Sequence, residues 1–275
     1  MMQLELSQVL SFGAMLLAAG AVAGITAGLL GVGGGIVIVP VLWHMFTALG
    51  IDEAVRMHVA VGTSLATIIA TSVSSVRSHH KRGAVDFALL KSWGPWIFIG
   101  VLIGTVLAGH VRGPVLSSVF ASVALIVSLH MGFGKPEWRL APELPKGVGR
   151  SLLATVIGGI SAMMGIGGGT LSVPILSLFG YPIHRAVGTA AAIGFIIGIP
   201  GAIGFVYSGW NVAGLPPFSL GYISLIGFAL IFPTSTLLAP YGARLAHRIN
   251  TRNLKRVFAV FLGFTALRMF YDLLF

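Results

Sequence analysis

The sequence has no cysteine, only seven acidic side chains against seventeen lysines and arginines, and charge at just 9% of its 275 positions. Without cysteine, disulfides, thiolate metal sites and thiol chemistry are excluded. So little charge cannot cover the surface of a water-soluble domain, and 56% of the residues are hydrophobic, with a mean hydropathy of +0.97. The phosphate-cradling GxxxxGK[ST] loop is missing, which excludes ATP hydrolysis by this chain. Four of the carboxylates (Glu5, Glu137, Glu143 and Asp272) lie in tails or a linker. No nucleophile–base or metal-ligand spacing is left, so the chain reads as a non-enzyme with no cofactor and no metal. The opening MMQLELSQVL has no basic residue and lacks the charged start of a signal peptide, so the first apolar run is expected to be retained.

What is present is a series of long apolar runs, at 57–76, 92–109, 115–133, 186–208 and 257–275. Runs of about 20 residues match the hydrocarbon thickness of a bilayer. They are continuous rather than alternating, which excludes a β-barrel. The formal charge of +10 sits in short loops between the runs. That placement reads as membrane orientation rather than a nucleic-acid patch, so the lipid bilayer is the expected partner and nucleic acid is not.

The chain repeats itself. Gly31–Pro40 (GVGGGIVIVP) matches Gly165–Pro174 (GIGGGTLSVP), and HVAVGTSLA at 58–66 matches HRAVGTAAA at 184–192. GTVLAGHVRGPVLSSVFA at 104–121 matches GARLAHRINTRNLKRVFA at 242–259. Residues 1–133 therefore form a first transmembrane repeat and 151–275 a second, joined by a polar linker at 134–150 that is expected to be cytoplasmic. Each repeat reads as a glycine-broken helix pair followed by three transmembrane helices. The fold class is all-α and polytopic.

Charge gives the relative orientation. RSHHKRG (77–83) is strongly basic, whereas its counterpart SGWNVAGLPP (208–217) is uncharged. The next loops reverse this: GHVRGP has one arginine, and its counterpart carries Arg244, Arg248, Arg252, Lys255 and Arg256. Cytoplasmic loops hold the excess lysine and arginine, so the repeats are expected to be inverted. Residues near 80, 140 and 250 are then cytoplasmic, and both termini and the loop at 209–216 external. Inversion needs an odd number of crossings per repeat. The arms Ser151–Met164 and Thr170–Gly180 rise roughly 21 and 17 Å at 1.5 Å per residue, short of a 30 Å core. A re-entrant hairpin turning at Gly165–Gly169 satisfies both constraints, with its partner turning at Gly31–Gly35.

A glycine turn feeding a helix leaves free N–H groups at that helix's N-terminus, which favour an anion. Two such ends brought together from opposite faces would hold a substrate near the midplane, as in inverted-repeat transporters. Gly31, Gly33, Gly34, Gly35, Gly165, Gly167, Gly168 and Gly169 are thus candidate substrate-binding residues. The competing reading is close helix packing, the evident role of the small-residue face in GAVAGITAG (20–28). Thr63 and Thr189 offer hydroxyls at one symmetric place, although such groups commonly bond a helix backbone. Ser64 has only Ala190 as its mate. His58 and His184 are repeat equivalents and candidates for anion contact or proton coupling; packing is the alternative. Arg185 could attract anions or snorkel from a helix end. His79, His80, Lys81 and Arg82 read as a solvated, topology-setting loop, and the five tryptophans mostly as interfacial anchors.

The paired GxGGG…P segments, the AVGTS and AVGTA blocks and the closing YGARLAHRI…LKRVFAVFLGFTALRM resemble the sulfite exporter TauE/SafE family of bacterial membrane permeases, along essentially the whole chain. The resemblance implies movement of a small sulfur-containing anion, such as sulfite or an organosulfonate, across the bacterial inner membrane. With donors at the turns and no carboxylate nearby, the residues themselves also favour a small anionic substrate over a cation. The other class left open is a membrane subunit or assembly factor whose glycine turns merely pack. Self-association into a homo-oligomer is open as well.

Overall fold

A computed structural model describes residues 6–134, 140–246 and 251–274. The helices are α1 (Leu6–Leu30), α2 (Gly35–Ala48), α3 (Glu53–His80), α4 (Phe87–His110), α5 (Gly113–Phe133), α6 (Gly147–Met164), α7 (Gly169–Leu178), α8 (Ile183–Gly209), α9 (Leu225–Leu245) and α10 (Thr251–Leu274). A two-residue hairpin, β1 (Ser219–Leu220) with β2 (Ile223–Ser224), precedes α9. The protein is an all-α polytopic membrane protein. Seven helices are long and apolar enough to cross a membrane: α1 from Leu10, then α3, α4, α5, α6, α8 and α9. The described part of the last apolar run, 257–274, falls in α10, which packs on α5. The chain ends at 1–5 and 275, the linker segment 135–139 with Glu137 and Trp138, and the loop 247–250 with Arg248 lie outside the described residues.

Local sequence sets the boundaries. Asp52 accepts from the Ala54 N–H, Asp86 from Leu89 and Ser224 from Gly227, so each caps the helix that follows it. Pro114 opens α5, where its missing N–H costs nothing. Gly31 and Gly165 end α1 and α6 with φ of +68° and +66°, a left-handed turn that a side chain resists. One expectation is corrected here. α6 begins at Gly147, not Ser151, and its 18 residues rise about 27 Å. The first arm of the second glycine pair is therefore much longer than the second, since α7 has only 10 residues.

The halves interleave. α1 packs on α9 while α6 packs on α4; α3 meets α8, and α5 meets α10. Exchanging the aligned repeats maps this set of contacts onto itself. Small residues let these backbones touch. A Cβ on Gly24 would lie 2.3 Å from the Ser235 carbonyl oxygen, and one on Gly28 would lie 1.9 Å from that of Ala239. On the other pair, Gly100 faces the Thr155 carbonyl and Gly104 that of Gly159, at 2.0 and 2.3 Å. Such close approach is the recurring solution where helices cannot rely on the hydrophobic effect to associate. Outer faces stay apolar: Leu102, Ile103, Val106 and Leu107 on α4 are all exposed, a belt that suits lipid.

Arg150 near the start of α6 and Tyr181 just past α7 line the same cleft, and the Leu140 N–H donates to the Leu178 carbonyl at 2.7 Å. The chain thus enters α6 and leaves α7 at one end of the bundle, and the pair is a hairpin.

Candidate functional site

The two glycine turns touch each other. A Cβ on Gly33 would lie 3.0 Å from Cα of Gly167, and the contact back from Gly167 is 2.9 Å. On either side, Gly35 abuts the Gly165 carbonyl oxygen (2.3 Å) and its mate Gly169 abuts that of Gly31 (2.0 Å). Gly31 presses on Val187 and Gly165 on Val61, again repeat equivalents. Gly34 faces Ala23, and Gly168 faces the Ile193 side chain. All of these glycines are buried. Gly33 also faces Ile68, near the middle of α3, so the crossing point sits at mid-depth in the bundle. There the N-termini of α2 and α7 converge, and neither carries a side-chain cap among the described residues. The Val37 and Thr170 N–H groups bond back to the Gly34 and Gly167 carbonyls at 3.0 and 3.4 Å, so donor capacity is left to the other first-turn N–H groups.

The hydroxyls around the turns divide into two sets. Thr63 Oγ1 accepts from the Ser224 N–H and Thr189 Oγ1 from the Asp86 N–H, both at 2.9 Å. Each threonine therefore receives the main-chain N–H of a residue that caps the next long helix of the other repeat. The Ser64 hydroxyl donates to the Gly165 carbonyl at 2.6 Å and fixes the second turn. By contrast, Thr170 Oγ1 and Ser172 Oγ, in the first turn of α7, are buried with no partner among the described residues. Their repeat mates are Ile36 and Ile38, so only one of the converging helix ends carries hydroxyls. Polar residues set against apolar ones at equivalent positions were a readable signal of that asymmetry.

The histidines prove unlike one another. His58 is buried; its Nε2–H donates to the Ala108 carbonyl at 3.0 Å, and its ring stacks on Tyr222 with centroids 4.8 Å apart. Ala108 lies in the last turn of α4, so His58 satisfies a carbonyl that the helix leaves open. His184 is exposed. His79, expected in solvent, is buried, and its Nε2–H donates to the Gly28 carbonyl in the last turn of α1 at 2.8 Å.

Arg185 pairs with Asp86 at 2.9 Å and lies 5.8 Å over the Tyr181 ring. The Tyr181 hydroxyl donates to the same carboxylate oxygen. Burial pushes the Asp86 carboxyl up, but the Tyr181 hydroxyl, the Leu89 N–H and the Arg185 charge prevail and hold it below the usual carboxylate range. The Tyr181 hydroxyl is pushed up to about 12, by burial first and then by the hydrogen bond to Asp86 and its charge. The expectation that no carboxylate lies near the threonine hydroxyls is thereby corrected. Asp86 sits against Thr189, with its negative charge already balanced.

The model of the family described as sulfite exporter TauE/SafE matches residues 16–269. The chain belongs to the TauE/SafE family. It is 35% identical over 256 residues to a probable membrane transporter protein of Haemophilus influenzae, covering 91% of this chain and 95% of that one. Probable membrane transporter proteins of Methanocaldococcus jannaschii and Bacillus subtilis are 26% and 27% identical, covering 93% and 94% of this chain and 94% and 97% of theirs. No solved structure matches. The TauE/SafE protein thus joins a transporter family with a bundle whose two repeats meet through backbone at mid-depth. The arrangement offers donors: main-chain N–H groups, Thr170 and Ser172. Donors without a free carboxylate suit a compact oxyanion.

Proposed function

We propose that this TauE/SafE protein is a secondary transporter of small sulfur-containing anions, such as sulfite or organosulfonates, across the bacterial inner membrane. The carrying observation is the convergence of two uncapped helix N-termini at mid-depth, one of them bearing unpartnered buried hydroxyls. Oriented N–H groups stabilise an anion without a buried point charge and still release it, which a transporter needs. The glycines Gly31, Gly33, Gly34 and Gly35, with Gly165, Gly167, Gly168 and Gly169, hold the two ends in register. Thr63 and Thr189 tie the turns' neighbours to α9 and α4, while Thr170 and Ser172 face the substrate. The repeats run in opposite directions through the bilayer, the α6–α7 hairpin is re-entrant, and both termini are external. A gradient drives the movement, because the chain has no ATP-binding loop; where protons are the coupled ion, the exposed His184 is the histidine placed to exchange them.

A thermal-shift screen of purified protein with sulfite, sulfate, short sulfonates, carboxylates, choline and glucose tests this reading. Stabilisation by an oxyanion that weakens in Thr170→Val/Ser172→Ala supports it. Selective stabilisation by choline overturns the anion assignment. The second reading, a non-transporting subunit or assembly factor, is favoured by the tight contacts at every turn glycine, with backbone at all but Gly168, which meets the Ile193 side chain. It predicts that no anion in the panel stabilises the protein.

A further inference from the structure

Away from the turns, a cleft of about 460 Å³ opens where the linker, the start of α4 and the loop between α7 and α8 meet. Two carboxylates line it, Asp86 and Glu143. Each already has its cation: Arg185 holds Asp86 at 2.9 Å, and Lys146 holds Glu143 at 2.8 Å. One cation lining the cleft is left over. Arg150 has no acidic partner among the described residues, and its Nε is out of water without an acceptor. A guanidinium N–H buried without an acceptor has lost its water and gained nothing in return, and an oxyanion's oxygen would restore the missing bond. Arg150 also stands in the first turn of α6, which contains no acidic residue and whose N-cap, Lys146, makes no side-chain cap. The helix end adds positive potential at the same place.

The walls narrow the choice of ligand. Trp93, Leu144, Pro145, Phe179 and Pro182 also line the cleft and add apolar surface to its charged groups. A fully hydrated inorganic anion would use the guanidinium and waste this surface. An anion with a short apolar tail uses both.

We propose that this cleft is a second anion-binding site, separate from the converging turns, in which Arg150 binds the oxyanion head of a small sulfonate or carboxylate and the aromatic and proline side chains hold its tail. The planar fork of the guanidinium matches two oxygens of either head group. The site lies at the mouth of the α6–α7 hairpin, beside the Asp86–Arg185 pair that ties the two loops together. It stands on its own geometry and does not need the turns to bind anything.

The experiment is calorimetric titration of the full chain with 1-propanesulfonate, propanoate, sulfate and propylammonium, in detergent and in nanodiscs. Wild type is expected to bind propanesulfonate and propanoate more tightly than sulfate, with no heat from propylammonium. Arg150→Gln is expected to weaken binding by about tenfold or more, the loss typical of one charge-assisted bond. Arg150→Lys should fall between the two. Ala88→Phe fills the exposed rim of the cleft with Arg150 intact and should give the same loss, so it decides the matter where Arg150→Gln does not fold. Each titration is repeated in Thr170→Val/Ser172→Ala, which should remove only the sulfonate bound at the turns and leave the Arg150-dependent binding in place, and the cleft variants are read in that background. Wild-type affinity in either cleft variant overturns the proposal, as does the absence of binding by any oxyanion to wild type. Weaker binding in phosphatidylglycerol discs than in phosphatidylcholine discs that persists at high salt, where repulsion of the ligand by the anionic bilayer is screened, would give the cleft to a lipid headgroup and overturn it too.

Discussion

Adjacent glycines of α6 give a test with its own control. At Gly158 an added Cβ would stand 2.1 Å from the Ile97 carbonyl oxygen, 2.9 Å from the carbonyl carbon and 3.1 Å from Cα. At Gly159 the nearest atom, the Gly100 carbonyl oxygen, is 3.3 Å away and the next 3.9 Å. Alanine in place of glycine favours any helix by roughly 0.5–1 kcal/mol, so both variants start with the same gain. For Gly158→Ala the obstruction is α4 backbone, which cannot rotate away as a side chain would. The helices must part, and the contacts of Gly100 and Gly104 along the same interface loosen with them. Overpacking of this kind costs about 1–3 kcal/mol, more than the helix gain returns. Gly159→Ala needs a shift of a few tenths of an ångström and should be neutral or slightly stabilising. Thermal unfolding in detergent, followed by tryptophan fluorescence and by size-exclusion recovery, ranks the three proteins; thiol-reactive dyes have nothing to label. The expected order is Gly159→Ala at or above wild type and Gly158→Ala below it. Equal stability of the two variants would refute backbone-to-backbone packing of α4 on α6.

The same reasoning extends to other sites. Thr63→Val removes the acceptor of the buried Ser224 N–H and should cost about 1–3 kcal/mol in unfolding experiments, whereas Thr189→Val should cost less because Asp86 is only partly buried. The Asp86 carboxyl is held below its ordinary value, so its contribution to stability is complete above the unfolded carboxylate pKa of about 4 and is lost as pH falls through the lowered folded value. Asp86→Asn keeps a helix-capping side chain. It should therefore lose less stability than wild type between neutral pH and pH 3, measured as the shift in melting temperature. Reporter fusions should place residues near 80 and 140 in the cytoplasm and the loop at 209–216 outside; a cytoplasmic signal at 212 would sink the inverted orientation.

Much of this was legible in the sequence, and the rest fails to be for identifiable reasons. Apolar runs of membrane length become helices because a bilayer admits little else. The glycine blocks become the turns because Gly31, Gly33, Gly34 and Gly165 adopt positive φ where one helix stops and the next begins. The interleaving of α1 with α9 and of α4 with α6 joins residues some 200 positions and 55 positions apart, and no local pattern encodes it. The start of α6 was hidden because Gly147, Gly149 and Arg150 look like linker composition, yet Lys146 serves as the N-cap. His79 was read as solvated from the basic residues around it. Its register was the better guide: Ser72, Ser75 and His79 share the buried face of α3 at helical spacing. Asp86 belongs to no repeat block or motif in the sequence. Its partners Tyr181, Arg185 and Thr189 come from the other repeat, so the neutralised cluster exists only in the folded chain.

The central claim is that a small anion crosses at the point where the turns meet. Its most direct test is counterflow of radiolabelled sulfite, and of a labelled short sulfonate, in proteoliposomes loaded with the unlabelled anion. The account predicts saturable uptake of at least one of them that vanishes in protein-free vesicles, is untouched by excess choline, and is lost in Thr170→Val/Ser172→Ala while that variant still melts cooperatively. Uptake equal to that of empty vesicles for every anion, from protein shown to be folded and inserted, would contradict it and leave the glycine turns as packing alone.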